Sequence, residues 1–269
     1  MDRHVETYYK RSSDDELGGK FHEVIALHDS PEISWKNISK KAPLLPRGWY
    51  ELAHLSVRDR IDFCRDYWLS RFPYHPNLSE FLVRFFASLD DLGIYITQRN
   101  WEDPYQVEMI YSLANDSGYY RGKLPALESE LLLLQKEFPS YILPNDYLSF
   151  LQIHNGFYKT TDCTGVIPMM LMKDEYEKFQ LMLLEEPGLS TSSGAPVDPK
   201  SLIPFYKSFG GPFYQCFWGE WYPQQEMGNV YYSHQSKTIS DVSCSDTSCE
   251  AMAFPTFIDW LMFYLERVE

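Results

Sequence analysis

Basic residues are scarce: 24 Lys and Arg stand against 38 Asp and Glu, a formal net charge of -14. The deficit is shared along the chain. Residues 1–119 hold 14 basic against 19 acidic residues (-5) and residues 120–269 hold 10 against 19 (-9), which together give -14. A surface of that sign repels phosphate backbones, which argues against a nucleic-acid partner. It speeds the approach of a basic protein partner, although plain solubility is the other use of such a charge. Long apolar runs are missing too, since none approaches the about 18 residues that a membrane span needs. No membrane association is expected. Cysteine is sparse, odd in number and scattered (Cys64, Cys163, Cys216, Cys244, Cys249), behind a polar N-terminus without a signal peptide. These read as reduced thiols of a cytoplasmic protein.

Reactive motifs are also lacking. There is no Gly-x-Ser-x-Gly elbow, no recognisable Cys/His signature and no phosphate-cradling glycine loop. His22-Glu23 and His28 hint at a zinc-protease helix, but six positions separate the histidines where one helix face requires four. Cys244 and Cys249 sit in a Ser/Asp-rich stretch with His234 as the only nearby companion, short of the about four ligands of a structural zinc site. No catalytic residue, cofactor or metal is expected.

What is present is an aromatic-rich chain, with 20 Tyr and 17 Phe, suited to strands as well as helices. Residues 1–19 read as loose, or helical only by docking. Spacing predicts a short helix over Lys20–His28, a loop from Trp35 to Trp49, and helices over Ser56–Phe72 and from Asn77, where Glu80 completes a capping-box pattern. Ile94–Gln98 and Gln106–Leu113 form a hairpin candidate. Asn115–Gly118 marks the boundary between a mostly helical part, 1–119, and a second domain, 120–269.

In the second part, Leu127, Leu131, Leu134 and Phe138 share one helix face. Tyr141–Gly156 reads as one helix, with Pro144 at its first position and Gly156 closing it. A strand over Val166–Met172, a helix over Asp174–Leu184 and a loop from Pro187 to Pro199 follow. Leu202–Phe209, Phe213–Trp218, Asn229–Ser233 and Lys237–Val242 read as strands, with Gly210-Gly211 suited to a tight hairpin. A helix opened by Pro255 and carrying Phe257, Leu261, Tyr264 and Leu265 ends the chain.

Four of these pieces resemble the SUKH superfamily, in that family's order, over about residues 122–269. They are the helix through Leu134, Leu143-Pro144-Asn145-Asp146-Tyr147 leading to Asn155-Gly156, Phe209-Gly210-Gly211 with Gly228-Asn229-Val230-Tyr231-Tyr232, and Phe257-Ile258-Asp259-Trp260-Leu261. That superfamily includes fungal cell-wall-assembly regulators and bacterial toxin-immunity proteins. The resemblance implies an α+β domain, a mixed, mainly antiparallel sheet flanked by helices, that binds protein and is not an enzyme. Members often carry an Asp after the second hairpin strand; here the chain reads Cys216-Phe217-Trp218-Gly219-Glu220, so that residue's role is not carried over. Residues 1–119 resemble nothing familiar.

The candidate partner-binding residues are Trp218, Glu220, Trp221, Tyr222 and Glu226. Trp and Tyr rimmed by carboxylates are the types that anchor interfaces and meet cationic side chains. Alternatively Trp221 and Tyr222 cover the edge of the sheet or pack on the N-terminal part. The expectation is a cytoplasmic protein-binding module whose partner is another, basic protein: an immunity-type neutraliser or a regulatory scaffold. The competing expectation is a hydrolase with a site between the two parts.

Overall fold

Aromatic and β-branched residues dominate Leu89–Gln98 and Gln106–Leu113, and both runs are strands (β2 and β3) in a computed structural model of the chain. It describes residues 1–10, 20–160, 164–184, 188–208, 213–242 and 252–266. The chain divides into two compact units: Met1–Ser70 with Ser79–Leu124, and Arg71–Leu78 with Pro125–Glu269.

In the first unit β2 and β3 pair antiparallel, Ile94 opposite Met109. β1 (Glu23–Ala26) adds to β2, and β4 (Tyr119–Lys123) adds to β3 across the Asn115–Gly118 turn. Alternation gives this sheet two buried faces. On one, Val5 and Tyr9 of α1 (Arg3–Lys10) pack against Tyr95, Ile110 and Tyr119. Asp2 fixes that helix to the β3–β4 hairpin, its carboxylate accepting the N–H groups of His4 (2.6 Å) and Gly118 (2.7 Å). On the other, Trp68 of α4 (Val57–Arg71) meets Phe85 and Phe86 of α5 (Leu78–Ala87), and its Nε1 donates to the Tyr111 hydroxyl at 3.1 Å.

Two local expectations fail here. Lys20–His28 has helical spacing, but Glu23–Ala26 is strand, because four residues find register partners on β2 from Gln98 back to Tyr95. Pairing overrides a periodicity that a short run satisfies by chance. Trp35–Trp49 is not loop: α2 (Trp35–Lys41) and α3 (Arg47–Ala53) occupy it, with Pro46 in extended geometry just before α3. Proline there precedes a helix rather than forbidding one. The helices expected over Ser56–Phe72 and from Asn77 are α4 and α5.

In the second unit the strand order is β5 (Phe157–Lys159), β6 (Gly165–Val166), β8 (Leu202–Lys207), β9 (Tyr214–Trp218), β10 (Asn229–Ser233), β11 (Thr238–Ile239), β7 (Ser190–Thr191). β12 (Ala253–Phe254) also pairs with β10. β7 joins β11 in parallel and the other pairings are antiparallel, so the sheet is mixed and mainly antiparallel. Phe205 and Phe217 face α7 (Asn145–Leu151) and α9 (Phe257–Leu265), where they meet Tyr147, Phe257 and Trp260. Tyr214, Cys216, Trp218 and Tyr232 face the opposite way, toward Phe179 and Leu183 of α8 (Met169–Leu184). α6 (Glu128–Glu137) leads to Phe138, whose ring packs edge-on against Tyr176 of α8.

The strand expected over Val166–Met172 ends at Val166, and α8 begins at Met169, capped by Asn155, whose Oδ1 accepts the Met169 N–H at 2.8 Å. The expected helix Tyr141–Gly156 is half as long. Pro144 precedes α7 with ψ 137°, and Gly156, at φ 112°, lies beyond the helix where the chain turns into β5. Within the expected Pro187–Pro199 loop, Ser190-Thr191 are β7. Gly210-Gly211, Cys163, Cys244 and Cys249 lie outside the described residues.

Candidate functional site

β9 ends at Trp218, and the chain makes a loop before re-entering the sheet as β10. Three backbone hydrogen bonds of 2.9 Å close its base: Trp218 N–H to Gly228 O, Trp221 N–H to Trp218 O, and Gly228 N–H to Trp221 O. The Trp221 ring lies on Gly228 so closely that a Cβ there would overlap it. Trp218 is buried in the cluster under α8 and Trp221 packs against that cluster. Both tryptophans therefore face inward, whereas Tyr222 is 47% exposed, Glu220 is exposed and Glu226 is half-buried. The five residues singled out in the sequence are thus brought together at one end of the sheet. Two build the loop and three are presented by it.

Three further residues join them from elsewhere. Tyr141, after α6, lays its ring on Gly219, where a Cβ would again collide. Its hydroxyl donates to the Lys200 carbonyl oxygen at 3.1 Å, and Tyr176 of α8 donates to the same oxygen at 3.0 Å. Asp198 opens the short helical turn Pro199–Ser201 by accepting the Lys200 N–H at 3.0 Å. The phenol of Tyr141 is raised above its ordinary value, first by burial and then by the negative charges of Asp198 and Glu220. In the sequence Tyr141 falls inside a run of helical spacing, and Tyr176 and Asp198 stand in separate segments. Only the short Leu143-Pro144 step after Tyr141 signals that it precedes the helix.

In this unit Asp259 of α9 is 3.1 Å from His75 Nε2, while the other ring nitrogen of His75 faces the Asn77 N–H at 3.4 Å. Both ring nitrogens of His75 thus have a partner. Burial pushes the thiols of Cys64 and Cys216 far above their ordinary value, which leaves both as unreactive thiols. Among the described residues, no group of three or more His, Cys, Asp or Glu is placed to hold a metal ion. Likewise, no helix among them is long and apolar enough to cross a membrane.

The second unit is thus a mixed sheet between helices that ends in a braced aromatic and acidic loop. The model of the SMI1 / KNR4 family (SUKH-1) matches residues 125–262, more than half of the 269-residue chain, and the chain belongs to that family. The match leaves residues 1–124 outside it. No curated protein and no solved structure gives a significant match.

Proposed function

We propose that the chain is a non-enzymatic, cytoplasmic protein-binding module whose second unit recognises a basic protein through the loop after β9. The partner is a toxin neutralised in the immunity manner or a component held by a regulatory scaffold. The observation that carries this reading is that Glu220, Tyr222 and Glu226 are presented on a loop braced by Trp218 and Trp221. Exposed aromatic groups on a rigid support are what interface anchors require, because little freedom is lost on binding. Family membership supports a protein partner, and the net charge of -14 supports a basic one and disfavours nucleic acid.

The test is co-purification from the native cell with wild type and with the triple variant Glu220→Gln, Tyr222→Ala, Glu226→Gln. The two tryptophans are left intact because they hold the fold. A partner retained by wild type and lost by the variant supports the reading; a partner retained equally by both contradicts it. Inhibition of the purified partner's activity by the chain then separates neutralisation from scaffolding.

A further inference from the structure

We infer that the surface formed by Tyr141, Tyr222, Glu220 and Asp198 takes up an arginine or lysine side chain projecting from the partner. This rests on the protein-binding reading above and names what that surface recognises. The aromatic part is in place before any partner arrives. Tyr141 is pressed onto Gly219, and its hydroxyl shares the Lys200 carbonyl with that of Tyr176, so neither ring must be ordered on binding. Tyr222 stands beside them, 47% exposed.

The acidic part has no cationic partner among the described residues. Glu220 forms no ion pair among the described residues, and the Asp198 side chain accepts the Lys200 backbone N–H. Elsewhere in the same unit carboxylates have cations: Glu137 pairs with Lys173, and Glu175 with Lys178 and Lys207. Lys200 lends this surface its backbone N–H and carbonyl, and its side chain forms no ion pair with these carboxylates among the described residues. The surface thus carries two acids, Glu220 and Asp198, whose charges both act on the Tyr141 phenol. A guanidinium or ammonium gains there from ring faces and carboxylates together, while a phosphate or an acidic peptide is repelled.

Calorimetric titration of the full chain with an alternating Arg-Gly decapeptide, and with its uncharged citrulline-Gly counterpart, tests this directly. The Arg-Gly peptide is expected to bind saturably, and the citrulline peptide at least about tenfold more weakly. Tyr222→Leu and Glu220→Gln are each expected to weaken the Arg-Gly peptide about tenfold, with Tyr222→Phe close to wild type because the ring face remains. Equal binding of the two peptides overturns the inference, because charge then contributes nothing; an Arg-Gly affinity untouched by Tyr222→Leu and Glu220→Gln together also overturns it and reduces the effect to diffuse charge. The two readings fail separately. A partner that needs the loop but presents no basic side chain there overturns this inference alone. A peptide that binds here while the native partner ignores the loop contradicts the proposed function alone.

Discussion

The carboxylate of Asp146, at the start of α7, accepts the backbone N–H of Ile258, at the start of α9, with Oδ2 2.9 Å from the nitrogen. Its other oxygen accepts the Tyr147 N–H at 2.8 Å. The two helices facing one side of the second unit's sheet are thus tied by a buried acid 112 positions from its partner. Burial pushes the Asp146 carboxyl up to about 6, with the Ile258 N–H pulling the other way and Glu226 adding repulsion.

That shift has a sign in stability. The folded value lies above the unfolded value of about 3.9, so the folded chain holds more proton between the two, and stability falls as pH rises from about 4 to about 6. Two units correspond to about 3 kcal/mol. Chemical denaturation of wild type and Asp146→Asn across that range measures it: wild type is expected to lose stability relative to the variant as pH rises, and parallel profiles would contradict the assignment. Asp146→Ala is expected to cost about 2–4 kcal/mol at neutral pH, by stranding two buried donors.

The short segment Arg71–Leu78 belongs to the second unit, although its neighbours in sequence belong to the first. Phe72 stacks on Phe150 with centroids 6.3 Å apart, and His75 meets Asp259. Phe72→Ala in the full chain is therefore expected to destabilise the second unit by about 3–5 kcal/mol, the usual cost of emptying a buried phenylalanine site. Amide hydrogen exchange should show the loss of protection in α7 and α9. Loss confined to residues 1–70 would contradict it.

Gly228 lies under the Trp221 ring. Gly228→Ala is expected to displace the indole, cost about 1–3 kcal/mol and shift tryptophan fluorescence to the red. An unchanged spectrum would show that Trp221 does not cover the sheet in solution.

Much of the second unit is legible in the sequence. α6, α8 and α9 carry apolar residues at helical spacing, and β8, β9 and β10 are aromatic runs bounded by turn residues. The long Tyr141–Gly156 helix is misread because Ile153 and His154 are buried by the turn into β5 rather than by a further helical turn. β1 is missed because four residues declare themselves only against β2, and α3 because Pro46 looks like a breaker when it stands at a helix entrance. The site divides in the same way. Trp218 to Glu226 is contiguous and conspicuous in composition, whereas Tyr141, Tyr176 and Asp198 are gathered only by the fold.

On the proposed reading, the tryptophans of the loop support it and the residues beyond them bind. The most direct measurement is the affinity of the purified native partner for wild type, for Tyr222→Ala with Glu220→Gln, and for Trp218→Phe, with melting temperature recorded for each. The double variant is expected to melt like wild type and bind at least about tenfold more weakly, while Trp218→Phe keeps wild-type affinity. Wild-type affinity in the double variant, at unchanged melting temperature, would contradict the assignment of this loop as the recognition surface.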